Sequence, residues 1–349
     1  MPFDSSLLGQ PVEVGQITRE LKNLWDSSSG VDTRASLVNF VVHASGVESV
    51  ESNTHLISQF MREHACRAVL IVTTPDSPTA EVKAWINAHC HLSRAGAKQV
   101  CCEQITIQLA GAAERQLPTV LFANLDSDLP LYLWWQGELH EPLGDQILTW
   151  VDRLIFDSRD WRQPKEQFAL LQQARKRSNS HMILCDLDWT RTLHLRQAVA
   201  QTFDHPENLA QIPKIKRLNV SHAPGYRSTA LLFAAWIAVQ LRWELKSRGG
   251  GRWTFRSAHQ EEIVCELQSV PGAPIGACEA ASDEASVSIQ RDAGSPFYRA
   301  DVRLSDGRAF QPLMPAGGDG IACLLDDELT FGGRHKVYLK TLAMAEKLF

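Results

Sequence analysis

The first half of the chain alternates two hydrophobic patterns. Apolar residues recur at helical spacing in segments such as QITRELKNLWDSS, where Ile17, Leu21 and Leu24 share one face. Between these segments lie short continuous apolar runs, for example RAVLIVTT before Pro75, which are typical of strands buried on both faces. This alternation predicts an N-terminal α/β domain with a mostly parallel sheet and helices on both faces.

A different pattern follows the strand predicted over HMILCDLDW. Thr190 is the expected N-cap of a helix over TRTLHLRQAVAQTF, and a longer apolar helix covers YRSTALLFAAWIAVQLRW. Short segments such as WTFRS and SVSIQRD come next, separated by turn sequences such as PGAP and SDG, and they predict an antiparallel sheet. We therefore predict two domains: an N-terminal α/β domain over residues 1–179 and a C-terminal α+β domain over residues 180–349.

Composition places the chain among ordinary soluble globular proteins, with 44% hydrophobic and 21% charged residues. The net charge of -5 does not suit a nucleic-acid-binding protein. The longest apolar run, residues 230–239, is shorter than the roughly 18 residues that a membrane-spanning helix needs. Because the chain begins without a basic and apolar leader, we expect a cytoplasmic protein with eight reduced cysteines, each a small buried apolar group.

An α/β fold favours phosphate-binding loops at the ends of its strands. Neither the G-x-x-x-x-G-K-[ST] nor the G-x-G-x-x-G motif occurs. The glycines at 249–251 follow a long helix and predict a left-handed helix terminus. Arg227, Ser228 and Thr229 begin a predicted helix, where backbone N–H groups are able to hold an anion, although ordinary capping explains the same residues. No cofactor is expected.

The segment AHCHLS raises the question of a metal site, with His89, Cys90 and His91 in a row and Cys101 and Cys102 soon after. Neighbouring residues on a strand point to opposite faces, so only part of this set is able to converge. There is no C-x-x-C pair near it, and we predict no metal site.

Asp186 and Asp188 end the strand in CDLDW, at the edge of the sheet where α/β active sites form. Alternate residues of a strand share one face, so the two carboxylates are candidates for an acid/base or metal pair. The structural alternative is that Asp188 caps the following helix and Arg191 neutralises the charge. The motif G-x-S-x-G is absent, and no other pattern specifies an enzyme.

The ten tryptophans are the unusual feature of the composition. Trp134 and Trp135 are adjacent in LPLYLWWQG and must face opposite sides of their strand. We expect one ring to fill the core and the other to cover a helix or a partner, because tryptophan contributes strongly to protein interfaces.

Taken together, these motifs resemble the glucose-6-phosphate dehydrogenase assembly protein family, OpcA. The resemblance rests on LPLYLWWQG followed by DRLIFDS, then DLDWTRTLHLRQAVAQTF, then ALLFAAWIAVQLRW. It extends from about Ser36 to the final helix. One departure is Leu195, which stands before Arg196 where the family often has a second tryptophan.

The resemblance implies a non-enzymatic cytoplasmic protein that binds glucose-6-phosphate dehydrogenase, promotes its active oligomer and raises its activity in the oxidative pentose phosphate pathway. Its usual setting is cyanobacteria and actinobacteria. No catalytic residues are implied. The resemblance also implies roles for the residues of its motifs in binding the partner. Trp134 and Trp135 would pack the sheet and present one ring at the surface, and Arg153, Asp157 and Ser158 would fix the neighbouring strand end. Asp188, Trp189 and Arg191 would organise the junction with the second domain, and Arg196 belongs to the same motif.

Two further hypotheses remain open. Cys90, Cys101 and Cys102 are candidates for a redox switch, which requires exposure and a lowered thiol pKa. Alternatively, the chain is an enzyme or sensor for a sugar phosphate or nucleotide, with Asp186 and Asp188 at the strand end and the ligand at the helix start near Ser228.

Overall fold

The structure, a computed structural model, describes residues 8–27, 33–92, 99–140, 143–177, 182–304, 309–331, 333 and 336–349. The chain forms two compact units. The N-terminal unit comprises residues 1–156 and 169–185, and the C-terminal unit comprises residues 157–168 and 186–349. Asn179, near which the domain boundary was predicted, lies outside the described residues.

The N-terminal unit is built on one sheet. Its strands are β1 (Gln10–Val12), β2 (Thr33–Arg34), β3 (Val38–Ser45), β4 (Cys66–Thr74), β5 (Glu81–Leu92), β6 (Gln99–Ala110), β7 (Leu131–Trp135), β8 (Arg153–Phe156) and β9 (Ile183–Asp186). The helices along the same stretch of chain are α1 (Ile17–Ser27), α2 (Val50–Glu63), α3 (Leu117–Ala123), α4 (Asp145–Leu148) and α5 (Pro164–Arg177).

The strand order of this sheet is β1-β5-β6-β4-β3-β7-β8-β9, and β2 pairs with β6. Strands β6, β4, β3, β7 and β8 are parallel, whereas β5 joins β6 as an antiparallel hairpin. Strands β3 and β4 are buried along nearly their whole length, as their continuous apolar runs predict. From one side to the other, the order β6-β4-β3-β7-β8-β9 runs backward along the chain to β3 and forward from β7. This is the strand order of a doubly wound dinucleotide-binding sheet.

The C-terminal unit has a second sheet and its own helices. Its elements are α6 (Leu187–Thr190), α7 (Leu193–Asp204), α8 (Pro206–Leu209), β10 (Arg217–His222), α9 (Arg227–Gln240), β11 (Glu244–Gly249), β12 (Arg252–Arg256), β13 (Glu262–Ser269), β14 (Ile275–Ala281), β15 (Ser286–Gln290), β16 (Phe297–Arg303), β17 (Ala309–Phe310), β18 (Leu313–Pro315), α10 (Ile321–Phe331) and α11 (Lys336–Leu348).

This second sheet is mostly antiparallel, as predicted, with the order β11-β12-β13-β10-β14-β15-β16-β17 and with β18 also paired to β16. Only β10 and β13 pair in parallel among the strands described here. Helix α9 contributes an unbroken buried run, residues 229–235, to the core of the unit. A helix that is apolar on nearly every side belongs in a core, which explains its sequence.

The strand predicted over HMILCDLDW is shorter than expected. It ends at Asp186, and the next four residues form helix α6. The Asp186 carboxylate accepts a hydrogen bond from the Asp188 N–H and so caps this turn. The prediction that Thr190 is the N-cap of the following helix is therefore wrong, because that helix begins at Leu193 with Thr192 as its N-cap.

The glycine run also differs from the prediction. Gly249 pairs with Arg252 at the end of a β-hairpin, and Gly250 and Gly251, with φ of 60° and 80°, make its two-residue turn. Two consecutive positive φ values are what a tight hairpin turn of this kind requires, and glycine adopts them without strain. The glycines do not end the preceding helix.

None of the described helices combines the length and the apolar character that crossing a membrane requires.

Candidate functional site

Five residues predicted from the sequence meet in the C-terminal unit: Asp157, Ser158, Asp186, Asp188 and Arg191. We call them the strand-end cluster, because Asp157 follows β8 and Asp186 ends β9. Asp186 is 1% exposed and accepts hydrogen bonds from the Ser158 N–H at 3.1 Å and the Ser158 hydroxyl at 2.7 Å. With the Asp188 N–H at 3.0 Å, these donors satisfy a carboxylate that burial would otherwise destabilise.

Arg191 joins the other two carboxylates of the cluster. Its guanidinium donates to Asp188 Oδ1 at 2.8 Å and to Asp157 Oδ2 at 2.8 Å. The Asp188 side chain is fully buried, and that of Arg191 is 1% exposed. Asp188 Oδ1 also accepts a hydrogen bond from the Thr229 hydroxyl at 2.5 Å. Arg191 thus pairs with Asp188, as expected if these residues are structural and Arg191 neutralises the carboxylate charge.

Other contacts of the cluster come from distant parts of the chain. The Tyr338 hydroxyl donates to Asp186 at 3.0 Å, and the Arg191 guanidinium lies 5.8 Å from the centre of the Tyr226 ring. The Thr190 hydroxyl, next to the cluster, donates to Glu328 at 2.6 Å. None of these three partners was predicted, because no local motif links residues so far apart in sequence.

Burial controls the electrostatics of the cluster. It raises the pKa of both Asp186 and Asp188, and the negative charge of Asp157 raises both further. The Arg191 guanidinium and the Thr229 hydroxyl oppose this effect at Asp188 without cancelling it. Atom Oδ2 of Asp188 has no hydrogen-bond partner among the described residues, which agrees with a carboxyl that is costly to keep ionised.

These raised pKa values predict a pH dependence of stability. The folded state retains protons that the unfolded chain releases near pH ~3.9. The resulting stabilisation is fully present below that pH and is lost as pH rises through the folded-state pKa values. We expect the wild type to lose stability relative to Asp188→Asn as pH rises from acidic to neutral. Urea unfolding at a series of pH values measures this difference, and parallel curves for the two proteins would contradict it.

Arg196 lies beside the cluster and is buried, with 8% of its surface exposed. Its guanidinium carbon is 3.2 Å from the centre of the Trp189 ring, and its Nη1 donates to the Trp189 carbonyl at 2.8 Å. Burial lowers the pKa of Arg196 to about 9. Leu195, where the resembled family often has tryptophan, is 1% exposed and belongs to the core. Trp189 and Arg196 therefore act together as a packed pair inside the unit.

The cavity that the structure describes beside the strand-end cluster is small. A cavity of about 10 Å³ lies beside Arg191 and Thr229, which is space for no more than one water molecule. At the start of α9, where an anion site was predicted, two side-chain hydroxyls are engaged within the chain: Thr229 donates to Asp188, and Ser228 donates to the Arg159 carbonyl at 3.0 Å. The geometry is that of a buried network of hydrogen bonds and ion pairs.

In the N-terminal unit both adjacent tryptophans are buried, at 5% exposure for Trp134 and 0% for Trp135. The expectation that one ring is presented at the surface is wrong, because β7 lies between β3 and β8 and side chains cover both faces of the sheet. Trp135 stacks on His43 with ring centres 3.6 Å apart and donates its indole N–H to the Glu138 carbonyl at 3.1 Å. Arg153 is half-buried near Tyr132, 5.4 Å from the ring centre.

In a doubly wound sheet, dinucleotides bind at the carboxyl ends of the strands where the order reverses, here between β3 and β7. The stacked rings of His43 and Trp135 occupy this position, and burial lowers the pKa of His43 to about 3. The Asn53 and Gln136 amides exchange two hydrogen bonds, at 3.1 and 2.7 Å, from α2 to the residue after β7. Two pairs of the chain's own side chains therefore lie at the position of this crevice.

The cysteines differ from the expectation of eight buried thiols. Cys90 and Cys101 lie opposite each other on β5 and β6 and form a disulfide. Cys102 is buried, and burial raises the pKa of its thiol, which makes it a poor redox group. Cys323 is the exposed free cysteine. Within the described residues, no group of three or more His, Cys, Asp or Glu side chains is arranged to hold a metal ion.

Two family profiles match the chain. Residues 58–173 match one described as the glucose-6-phosphate dehydrogenase subunit N-terminal domain, and residues 183–341 match one described as its C-terminal domain. A Nostoc punctiforme protein described as the OxPP cycle protein OpcA is 23% identical over 290 residues, which cover 77% of this chain and 62% of that protein. The Synechocystis protein of the same description is 25% identical over 221 residues, which cover 60% of this chain and 46% of that protein.

The chain thus spans only 46% to 62% of the length of these relatives. Among solved structures, the aldose-aldose oxidoreductase of Caulobacter crescentus has a TM-score of 0.49 and 10% identity, covering 90% of this chain and 96% of that one. The Synechocystis biliverdin reductase has a TM-score of 0.47 and 11% identity, covering 89% and 97%. Similarity this low does not extend to the chemistry of those enzymes.

Proposed function

The chain belongs to the OpcA family of glucose-6-phosphate dehydrogenase assembly proteins, and on that basis we propose that it is a non-enzymatic assembly factor for this dehydrogenase. The observation that supports the proposal most is the pair of family matches, which together span residues 58–173 and 183–341. We further propose that it acts in the cytoplasm as an allosteric activator that favours the active oligomer, with no nucleic acid or membrane as partner.

The filled sites support a protein without catalysis of its own. The carboxylates of the strand-end cluster are engaged by Arg191, Ser158 and Thr229, and those of Asp186 and Asp188 are buried, whereas the Asp157 side chain is 18% exposed. The crevice between β3 and β7 is filled by stacked rings and paired amides. The alternative hypothesis, an enzyme or sensor for a sugar phosphate or nucleotide, needs one of these two places to be open.

The proposed mechanism is a population shift in the partner. A protein that binds the active conformer of the dehydrogenase more tightly than the inactive one raises the active fraction by that difference in affinity. A coupling free energy of about 1–3 kcal/mol corresponds to a change of roughly 5- to 150-fold. In this mechanism the chain acts through its surface, while the buried clusters maintain the shape of that surface.

Mixing the purified chain with the glucose-6-phosphate dehydrogenase of the same organism tests the proposal. We expect a complex of defined mass and a lower Michaelis constant for glucose 6-phosphate or a higher maximal rate, by roughly fivefold or more. Mass photometry and steady-state kinetics measure the two effects. Unchanged mass and unchanged kinetics at micromolar concentrations of both proteins would refute the proposal.

The disulfide favours a second proposal, redox control of the interaction. We propose that a dithiol reductant transfers two electrons and two protons to the Cys90–Cys101 disulfide, which becomes two thiols while the reductant is oxidised to a disulfide. This reduction weakens activation of the dehydrogenase. Cys90 is exposed and reachable, whereas Cys101 is buried on the neighbouring strand. Reduction removes a covalent link across the β5–β6 hairpin and loosens that edge of the sheet.

Thiol counting and partner binding test this control. Alkylation in denaturant should find six free thiols before treatment with dithiothreitol and eight after it. Cys90→Ser should bind the dehydrogenase like the reduced wild type, about fivefold or more below the oxidised protein, under both conditions. Cys323→Ser removes an exposed free thiol and serves as the matched control, with wild-type behaviour expected. Equal affinity of oxidised and reduced wild type would rule the control out.

A further inference from the structure

The C-terminal unit contains an apolar pocket that the strand-end cluster does not use. It has a volume of about 260 Å³ and lies between α7, α9 and the strands β14 and β15. Its lining includes Phe203, Leu209, Trp236 and Trp243. Leu209 is 55% exposed at the surface and Trp236 is half-buried. A folded chain that leaves such groups open to water usually binds something there.

The volume of the pocket and the residues that line it indicate which kind of group it is able to bind. Pockets for drug-sized ligands measure roughly 300–1,000 Å³, so this one is small for a nucleotide or a sugar phosphate. Its apolar walls offer no cationic side chain to pair with a phosphate. A volume of this kind instead fits one large apolar side chain, and such anchor side chains in fitted pockets dominate the energy of protein interfaces.

The charge at the pocket indicates which residues on the partner should flank that side chain. Asp204 is the one charged residue among those that line the pocket, all of which the structure describes. It is exposed at the last position of α7, where the partial negative charge of the helix end disfavours a carboxylate. Helix α9 also ends at the pocket, at Gln240, and adds a second negative helix end. These features attract a cation, and an unfavourable local choice of residue commonly marks a functional position.

Nearby lysines do not cancel this charge. Lys214 and Lys216 flank the lining residue Ile215 in sequence, but they are paired with Glu284 at 3.4 Å and with Asp283. The pocket therefore combines apolar walls with one acidic lining residue, Asp204, at the α7 side. Arg242, which is exposed between the lining residues Leu241 and Trp243, follows the end of α9 on the other side.

We propose that this pocket is the anchor site for the partner dehydrogenase, receiving one leucine or aromatic side chain that is flanked by a lysine or arginine on the partner's surface. The inference rests on the proposed function and assigns its contact surface on this chain. The apolar side chain supplies the burial, and the flanking cation pairs with Asp204 in the field of the two helix ends.

The experiment fills the pocket without disturbing the core. Ala200 is exposed on α7 and lines the pocket, so Ala200→Trp places an indole in its mouth. Gln201→Trp is the matched control, because the next residue of the helix is exposed but does not line the pocket. We expect Ala200→Trp to weaken binding of the dehydrogenase by at least about tenfold and Gln201→Trp to change it less than about twofold.

Charge reversal supplies a second, independent variant. Asp204→Lys should stabilise the end of α7, because a cation is favourable there, and should nevertheless weaken binding by about tenfold or more. Thermal melting of each variant shows whether it is folded, and Asp204→Lys keeps the test decisive if Ala200→Trp fails to fold.

The outcomes separate this inference from the proposed function. A wild-type chain that does not bind the dehydrogenase overturns the proposed function, and with it the anchor. If the wild type binds and the folded variants bind equally well, the pocket inference alone is overturned. If the chain by itself forms a dimer that Ala200→Trp dissociates, the occupant is a second copy, and the inference is again overturned.

Discussion

Replacing Arg191 by alanine is expected to lower the free energy of unfolding of the C-terminal unit by about 3–5 kcal/mol. The change leaves Asp188 with no charged partner in a fully buried position and removes the bond that joins Asp188 to Asp157. Above the raised pKa of Asp188, the carboxylate is then an unpaired buried charge, which is far more costly than a broken surface ion pair because the solvation lost on burial is no longer offset. Below that pKa the carboxyl group keeps its proton, so the full loss is expected at alkaline pH. Hydrogen exchange of α9 and β10, with urea unfolding of the whole chain, measures the loss.

Arg159→Ala is the matched control for this prediction. Arg159 is close in the same unit, but its ion pair with Asp160 is open to water on one side, with the Arg159 side chain 27% and the Asp160 side chain 66% exposed. Surface pairs contribute about 0–1 kcal/mol, so this variant should remain near the wild type. Equal and small effects of the two substitutions would show that Asp188 is readily solvated or protonated, and the strand-end cluster would then have little structural importance.

Much of the architecture could be predicted because strands buried on both faces leave continuous apolar runs, as in β3 and β4. Strand β14 was missed because its sequence, IGACEAA, is rich in small residues of low β-propensity. Strand β11 was missed because it is an edge strand exposed on both faces, which removes the alternation that identifies a strand.

The residues of the candidate site also include some that could be predicted from the sequence and some that could not. Asp157, Ser158, Asp188 and Arg191 could be predicted because they follow strand ends, which meet at one edge of a parallel sheet. Tyr338, which completes the surroundings of Asp186 from 152 positions away, could not be. Adjacent tryptophans do face opposite sides of a strand, but a single sequence does not show what covers each face, and here both faces are covered.

Because Trp134 and Trp135 are both buried, neither ring is available at the surface to contact a partner. Trp150, 68% exposed and 6.2 Å from the Phe122 ring, is a better surface candidate than either residue of the adjacent pair. Trp134 and Trp135 are therefore proposed to act indirectly, by holding the sheet and the filled crevice in place.

Trp135→Ala is accordingly expected to lower the free energy of unfolding of the N-terminal unit by about 3–5 kcal/mol. The substitution removes a fully buried ring, its stacking on His43 and the indole hydrogen bond to the Glu138 carbonyl, and it leaves a large cavity at the centre of the sheet. Urea unfolding followed by hydrogen exchange of β3 and β7 measures the effect. Trp150→Ala, which removes the same side chain from an exposed position, should change stability by less than about 0.5 kcal/mol.

Measuring the binding of the dehydrogenase shows whether the Trp135 indole only stabilises the fold or also contacts the partner. At low temperature, where folded Trp135→Ala molecules persist, they should retain affinity for the dehydrogenase, because the ring is 0% exposed and cannot touch the partner. Loss of binding in a variant of unchanged stability would mean the reverse: the crevice between β3 and β7 would have to open and present the indole to the partner. That result would make the filled crevice the contact surface and would restore the expectation that one ring of the pair faces outward.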